Sequence, residues 1–276
     1  MIKNNKVFLI TMFSLTALIS YLFITAPPPL ANKNESGRTV SIEFVFEILQ
    51  YKNAVTREIY TRDIVGSGAK RGIKFDENWQ EADVFALPLP AQFLRETARS
   101  LERSRVQLGL YLASDYSINE ANNVEGEQLE LLKEVRESRD AQFLYINDAQ
   151  RYAYMFPDFA VVKPCVKCHN DHDESPKTDW RLNDVMGATT WTYPENTISI
   201  DMFFRLLATL DRAIETAYTI VLNEAGKLPN PPRTGKQWPK THYALPNKET
   251  FISMIHKRAS PEILARIVKH LHPHKL

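Results

Sequence analysis

The residues of this chain with the clearest chemical potential are Cys165, Cys168 and His169, in the run Cys165-Val166-Lys167-Cys168-His169. The spacing C-x-x-C-H is the attachment pattern of a c-type haem. Two thiols three positions apart lie on one side of a helical turn, where each can add to one vinyl group of a porphyrin. The next residue, His169, is then held against the iron as an axial ligand, and covalent attachment pins the cofactor without a deep pocket. The chain has only these two cysteines. Three other chemistries compete for them. A zinc site using Cys165, Cys168, His169 and His172 is disfavoured because adjacent Cys168 and His169 do not easily fill two tetrahedral positions. A redox-active C-x-x-C disulfide needs a thioredoxin-like βαβ context, which is missing. A plain structural disulfide is the third alternative. One covalently attached haem c accounts best for the pattern.

Such a cofactor is attached outside the cytoplasm, and the N-terminus supplies a route there. Residues 7–26 (VFLITMFSLTALISYLFITA) run for 20 residues without a charge, long enough as a helix to cross a bilayer core of about 30 Å. Lys3 and Lys6 precede the run and Lys33 is the first charge after it, so the positive-inside bias places residues 27–276 outside. A buried core helix is disfavoured because the segment is terminal and apolar on every side. A cleaved signal peptide is the alternative, but its apolar core normally spans about 7–15 residues. Pro27-Pro28-Pro29 also follows Ala26, a poor site for signal peptidase. The expectation is an uncleaved anchor, giving a single-pass inner-membrane protein with its main domain in the periplasm. In both cases the remainder is exported.

The elements that must position the motif follow from periodicity. Residues 27–40 read as an exposed spacer. Ile42, Val45, Phe46, Leu49, Ala54, Val55, Ile59 and Tyr60 keep helical spacing, predicting a long amphipathic helix over 41–65. Gly66, Gly68 and Gly72 break it. A loop over 78–90 precedes a helix over 91–103. Val106, Leu108, Leu110 and Leu112 alternate as a half-buried strand does. A charged helix over 125–138, strands at 142–146, 152–162 and 185–193, and a helix over 198–223 complete the series. This order predicts an α+β domain over 41–225, an antiparallel sheet with helices packed on one face. No internal repeat is evident.

Composition excludes more than it identifies. Of 276 residues, 44% are hydrophobic and 24% charged, which argues for a packed core and against wholesale disorder. Lys plus Arg number 34 against 33 Asp plus Glu, so no global field points to nucleic acid. Nine glycines, with neither GxGxxG nor GxxxxGK[ST], argue against nucleotide-binding loops. Residues 226–276 differ from the rest: 10 Lys plus Arg against 2 Asp plus Glu give 10 − 2 = +8, with five of the seven histidines. Five prolines between 229 and 246 predict an extended linker, and Ser260-Pro261-Glu262 an N-cap for a short final helix. The expected tail is a basic, solvated appendage lying against the acidic body, with contact to anionic lipid as a second role. His270, His272 and His274 read as an exposed tail before a metal site.

The run YMFPDFAVVKPCVKCHNDHDESPKTDWRLNDVMGATTWTYP resembles the C-terminal half of the haem-binding extracytoplasmic sensor domains of PAS-like fold. The family's K-P-x-C-x-x-C-H turn is matched from Lys163 and Pro164, and its D-x-x-G-A motif by Asp184, Gly187 and Ala188. Its P-A-x-F-x-R-E helix is matched by Pro90, Ala91, Phe93, Arg95 and Glu96. Leu112 to Asn123, with Glu127, is similar to its strand, asparagine loop and helix. The resemblance spans roughly 41–225. It implies a PAS-like fold, a single haem c, Cys165 and Cys168 as thioether donors and His169 as proximal ligand. Relatives stand alone or precede histidine kinases and nucleotide cyclases.

The sixth iron position stays open. Both cysteines are consumed, and residues 27–154 hold no His, Met or Cys. Met155, His172, Met186 and Met202 are candidates elsewhere, beside an open or water-occupied site covered by Tyr51 or Tyr60. The leading expectation is a membrane-anchored periplasmic haem sensor, reading redox state or a diatomic gas through an unidentified partner protein. A monohaem electron carrier is the alternative, its basic tail steering an acidic redox partner, and a haem that only stabilises the fold is a third. An enzyme is not expected, because no Ser-His-Asp, HExxH or paired-acid pattern stands out. The 41–65 helix is a candidate homodimer contact.

Overall fold

Strand β1 (Thr39–Ser41) leads into helix α1 (Ile42–Ile59). Ser41 sets the start, its side chain accepting from the Phe44 N–H at 3.3 Å, as an N-cap serine does. The helix continues through a π-helical turn, Tyr60–Gly66, and ends at Ala69. This is a computed structural model; it describes residues 39–240 and 242–272, with Met12, Leu15 and Thr16. The three isolated residues are helical, but the expected membrane segment otherwise lies outside the described residues. Among the described residues no helix is long and apolar enough to cross a membrane. From Thr39 onward the chain forms one compact unit.

After α1 come β2 (Phe75–Asp76), β3 (Leu87–Pro88), α2 (Pro90–Glu102) and β4 (Gly109–Ala113). Helix α3 (Gly126–Ser138), β5 (Gln142–Ile146), β6 (Arg151–Phe159), α4 (Lys163–Asp171) and β7 (Val185–Tyr193) follow. The chain closes with β8 (Thr197–Ser199), α5 (Ile200–Ala225), β9 (Thr234–Gly235), β10 (Leu245–Pro246) and α6 (Lys248–Leu271). Strands β4, β7, β6 and β5 form one antiparallel sheet in that order, with Leu110 opposite Trp191 and Tyr154 opposite Trp191. Gly187 is forced by this pairing: a Cβ there would sit 2.6 Å from the Ala113 carbonyl oxygen.

The α+β class holds, but the helices are not confined to one face. Alternation along the strands sends Leu110, Trp191 and Tyr193 into the main core with α1, α2, α5 and α6. It sends Ala113, Ala153, Met155 and Ala188 into a smaller cluster under α3, with Leu131, Leu132 and Val135. Trp191 donates from Nε1 to Gln50 Oε1 at 2.9 Å, tying the sheet to α1. The apolar stripe of α1 is buried within this domain.

The basic segment is the main departure from expectation. Its final helix starts at Lys248, thirteen residues before Pro261, capped by Asn247, whose side chain accepts from Thr250 N–H at 3.2 Å. Pro261 lies inside the helix instead of at its start. The reason is an apolar stripe: Phe251, Ile255 and Ala259, four apart, are 0–1% exposed and join the main core with Leu245. Burying that stripe outweighs the helical hydrogen bond that Pro261 removes. Residues 226–271 thus pack into the domain and do not trail from it. The anticipated charge complementarity is present in individual pairs: Arg258 to Glu58 at 2.6 Å and Lys248 to Glu215 at 2.6 Å. His270 stacks on Phe44, with ring centroids 3.8 Å apart.

Candidate functional site

Cys165, Cys168 and His169 all lie on α4, a nine-residue helix between β6 and the loop that leads to β7. Pro164 sits in its first turn, where a missing N–H costs nothing. At its other end Asn170 clamps the loop: Nδ2 donates to Trp180 O at 3.0 Å, and Trp180 N–H donates to Oδ1 at 2.8 Å. Trp180 itself is buried. The helix is therefore anchored through its C-terminal turn while its other face stays accessible.

Both thiols are free, Cys168 exposed and Cys165 half-buried, so the structural disulfide is not formed. Burial pushes the Cys168 thiol above its ordinary value, and Glu77, Cys165 and Asp171 act in the same direction. His169 is half-buried, and its Nδ1 is buried without a hydrogen-bond partner. Burial, and to a lesser degree the neighbouring His172, lower its pKa and favour the neutral ring, against an upward pull from Glu77. A neutral imidazole can serve as an axial ligand. An open groove of about 580 Å³ runs along the helix, lined by Lys163, Pro164, Lys167, Cys168, Asp171 and His172. Val161 and Val162 ahead of the helix, and Leu182 after it, are exposed apolar side chains. Two accessible thiols one turn apart, a neutral imidazole and an adjacent groove fit a covalently held haem.

The remaining candidates fall elsewhere. His172 caps α4 and has both nitrogens engaged: Nε2 with Glu77 Oε1 at 2.7 Å, Nδ1 accepting from Glu174 N–H at 3.1 Å. It is thus not free for iron or zinc, and among the described residues no group of three or more His, Cys, Asp and Glu is arranged to hold a metal ion. Met155 is fully buried under α3, and Met202 packs on the main core. Tyr60 is fully buried and donates to Pro88 O at 2.7 Å. Tyr51 lies beneath the Arg266 guanidinium, 4.7 Å from its ring centroid. Met186 offers its backbone carbonyl to Ser114 Oγ at 3.1 Å. Glu77 is the site residue that sequence reasoning missed. It lies 95 positions from His172 in an irregular loop, and no periodicity or motif points to it.

No curated protein and no solved structure matches the chain. The Tll0287-like family, described as Tll0287, matches residues 34–194, which runs from β1 through β7 and stops short of β8, α5 and α6. This family is a c-type haem sensor domain. The match spans more than half of the chain and contains all of α4. The chain belongs to the Tll0287-like family.

Proposed function

We propose that this chain is an extracytoplasmic c-type haem sensor module of PAS-like fold, carrying one haem on α4. The observation that carries the reading is the arrangement on that helix: two free thiols a turn apart, followed directly by a half-buried histidine whose pKa is lowered by burial. Cys165 and Cys168 would hold the porphyrin through thioether bonds, and His169 would be the residue offered to the iron. The bound haem would supply an iron that changes redox state and can take a diatomic ligand. The chain's own contribution is positional. The Asn170 clamp on Trp180 fixes the end of α4, and the groove beside Cys168 and His172 would receive the macrocycle.

A vacant or water-held sixth position is favoured by where the alternatives sit. His172 is bonded through both ring nitrogens, and Met155 and Met202 belong to packed cores, which leaves Met186 as the candidate whose replacement by Leu should leave the reduced spectrum and its response to CO unchanged. A vacant position favours a sensor over an electron carrier. Residues 7–26 anchor the module in the inner membrane with the domain in the periplasm, and a partner protein takes the signal onward. The test is the absorption spectrum of the exported protein, dithionite-reduced, with and without CO. A CO-shifted Soret band supports the sensor. A reduced haem spectrum that CO leaves unchanged means a side chain holds the sixth site, and electron transfer or redox sensing replaces gas sensing.

A further inference from the structure

Residues 39–102 and 197–260 correspond at an offset of 158 (218 − 60), except in the connecting loop, where the first bridge strand and the tryptophan are offset by 159 (234 − 75), although their sequences show no evident repeat. Strands β1 and β8 are counterparts, Thr39-Val40-Ser41 against Thr197-Ile198-Ser199. They pair antiparallel with Val40 opposite Ile198, so each strand meets its own equivalent, as at a two-fold axis. Ser41 caps α1 by accepting from Phe44 N–H, and Ser199 caps α5 by accepting from Met202 N–H at 3.1 Å. Tyr60 donates to Pro88 O at 2.7 Å and Tyr218 to Pro246 O at 2.9 Å, both across 28 positions. Tyr60 stacks on Phe93 at 4.1 Å and 13°, Tyr218 on Phe251 at 3.9 Å and 16°.

The connecting loops follow the same plan. Each contains a two-residue parallel bridge, β2 with β3 and β9 with β10, ending in Ala-Leu-Pro at 86–88 and 244–246. Trp79 and Trp238 both stand four residues past the start of the first bridge strand; in the second copy the stretch from the tyrosine to that strand is one residue longer and the stretch from it to the second bridge strand one residue shorter. The helices pack crosswise, α1 on α6 and α2 on α5, which is one contact made twice under a two-fold axis. The sheet and α4 are inserted between the two halves.

The copies differ where they meet the site. Glu77, two residues past Phe75, bonds His172, the cap of α4. Its counterpart, two residues past Thr234, is Lys236, exposed and of opposite charge. We infer that the domain is built from two copies of one helix-pair module enclosing a pseudo-two-fold interface, and that Glu77 adapts the first copy to hold the haem-bearing helix through His172. Glu77 is thus a positioning residue, acting on the site through a second side chain. The proposed function enters only in calling α4 the haem-bearing helix, because the contact and its test need no haem.

The test uses the full exported chain before haem loading, with hydrogen exchange read over residues 165–171. Glu77→Lys, which installs the second copy's residue, should speed exchange there by about tenfold. His172→Phe should do the same, and the double variant no more than either alone. Lys236→Glu should leave the segment unchanged. Additive effects, or an unchanged rate in Glu77→Lys, would overturn the positioning role. Replacing residues 75–88 by 234–246 tests the duplication: the graft should fold with its Tyr60 contacts kept and lose protection only on α4. A graft that fails to fold while Glu77→Lys folds would overturn the equivalence of the copies. In haem-loaded protein, the reduction potential should move in both Glu77→Lys and His172→Phe, but not in Lys236→Glu.

Discussion

Phe251→Ala removes a ring with no exposure that lies at the meeting point of four helices. It stacks on Tyr218 at 3.9 Å and meets Phe93 and Tyr60 edge-on at 6.0 and 6.4 Å. Loss of a fully buried phenylalanine costs about 3–5 kcal/mol through lost transfer energy and the cavity left behind. For a domain of this size each kcal/mol moves Tm by roughly 2–4 °C. The melting temperature should therefore fall by roughly 6–20 °C. Leu264→Ala, on the same helix but 62% exposed, is the control and should stay within about 0.5 kcal/mol of the parent chain. Thermal melts followed by circular dichroism, with urea titrations beside them, read both variants. If the two variants melted within about 2 °C of each other, the claim that α6 is part of the core would be wrong.

Tyr60→Phe and Tyr218→Phe should each lower stability by about 1–3 kcal/mol, because Pro88 O or Pro246 O is left buried without a donor while the ring stack survives. Urea titration reads this, and a loss confined to one of the pair would contradict their equivalence. Burial raises the pKa of both phenols above the ordinary 10.0. The folded chain therefore keeps two protons that the unfolded chain releases, and stability should fall as pH rises past 10, by up to about 2.7 kcal/mol per unit. The double Phe variant should flatten that slope, and an equally steep slope without the phenols would refute the assignment. Because the Cys168 thiol is pushed above its ordinary 9.0, alkylation of the haem-free protein at that residue should reach half its maximal rate above pH 9.0. A midpoint at or below that pH would mean the thiol is not desolvated as described.

Much of the fold was legible where a single periodicity dominates. The apolar spacing from Ile42 onward marks α1, and the strand expected over 185–193 coincides with the observed bounds of β7. The C-x-x-C-H run was legible as a helical turn because its chemistry fixes the spacing. The α6 stripe was obscured because Phe251, Ile255 and Ala259 are set among Lys248, His256, Lys257 and Arg258, and Pro261 imitates a helix start. The placement of α3 on the opposite sheet face was hidden for another reason: alternation defines two faces but not which helix covers which. The duplication escaped because its matched residues are sparse, and the one-residue shift within the connecting loop breaks the register between Trp79 and Trp238. The Glu77–His172 contact depends on tertiary structure alone, and nothing in either local sequence announces it.

The central claim is a single haem held by Cys165 and Cys168, with His169 on the iron. Its most direct test is the intact mass of residues 32–276, exported in a host with haem-attachment machinery, read beside a pyridine haemochrome spectrum. The account predicts a mass increase of one haem and a c-type haemochrome, both lost in the Cys165→Ala, Cys168→Ala double variant. Well-folded exported protein with the unmodified mass and no haemochrome would contradict it.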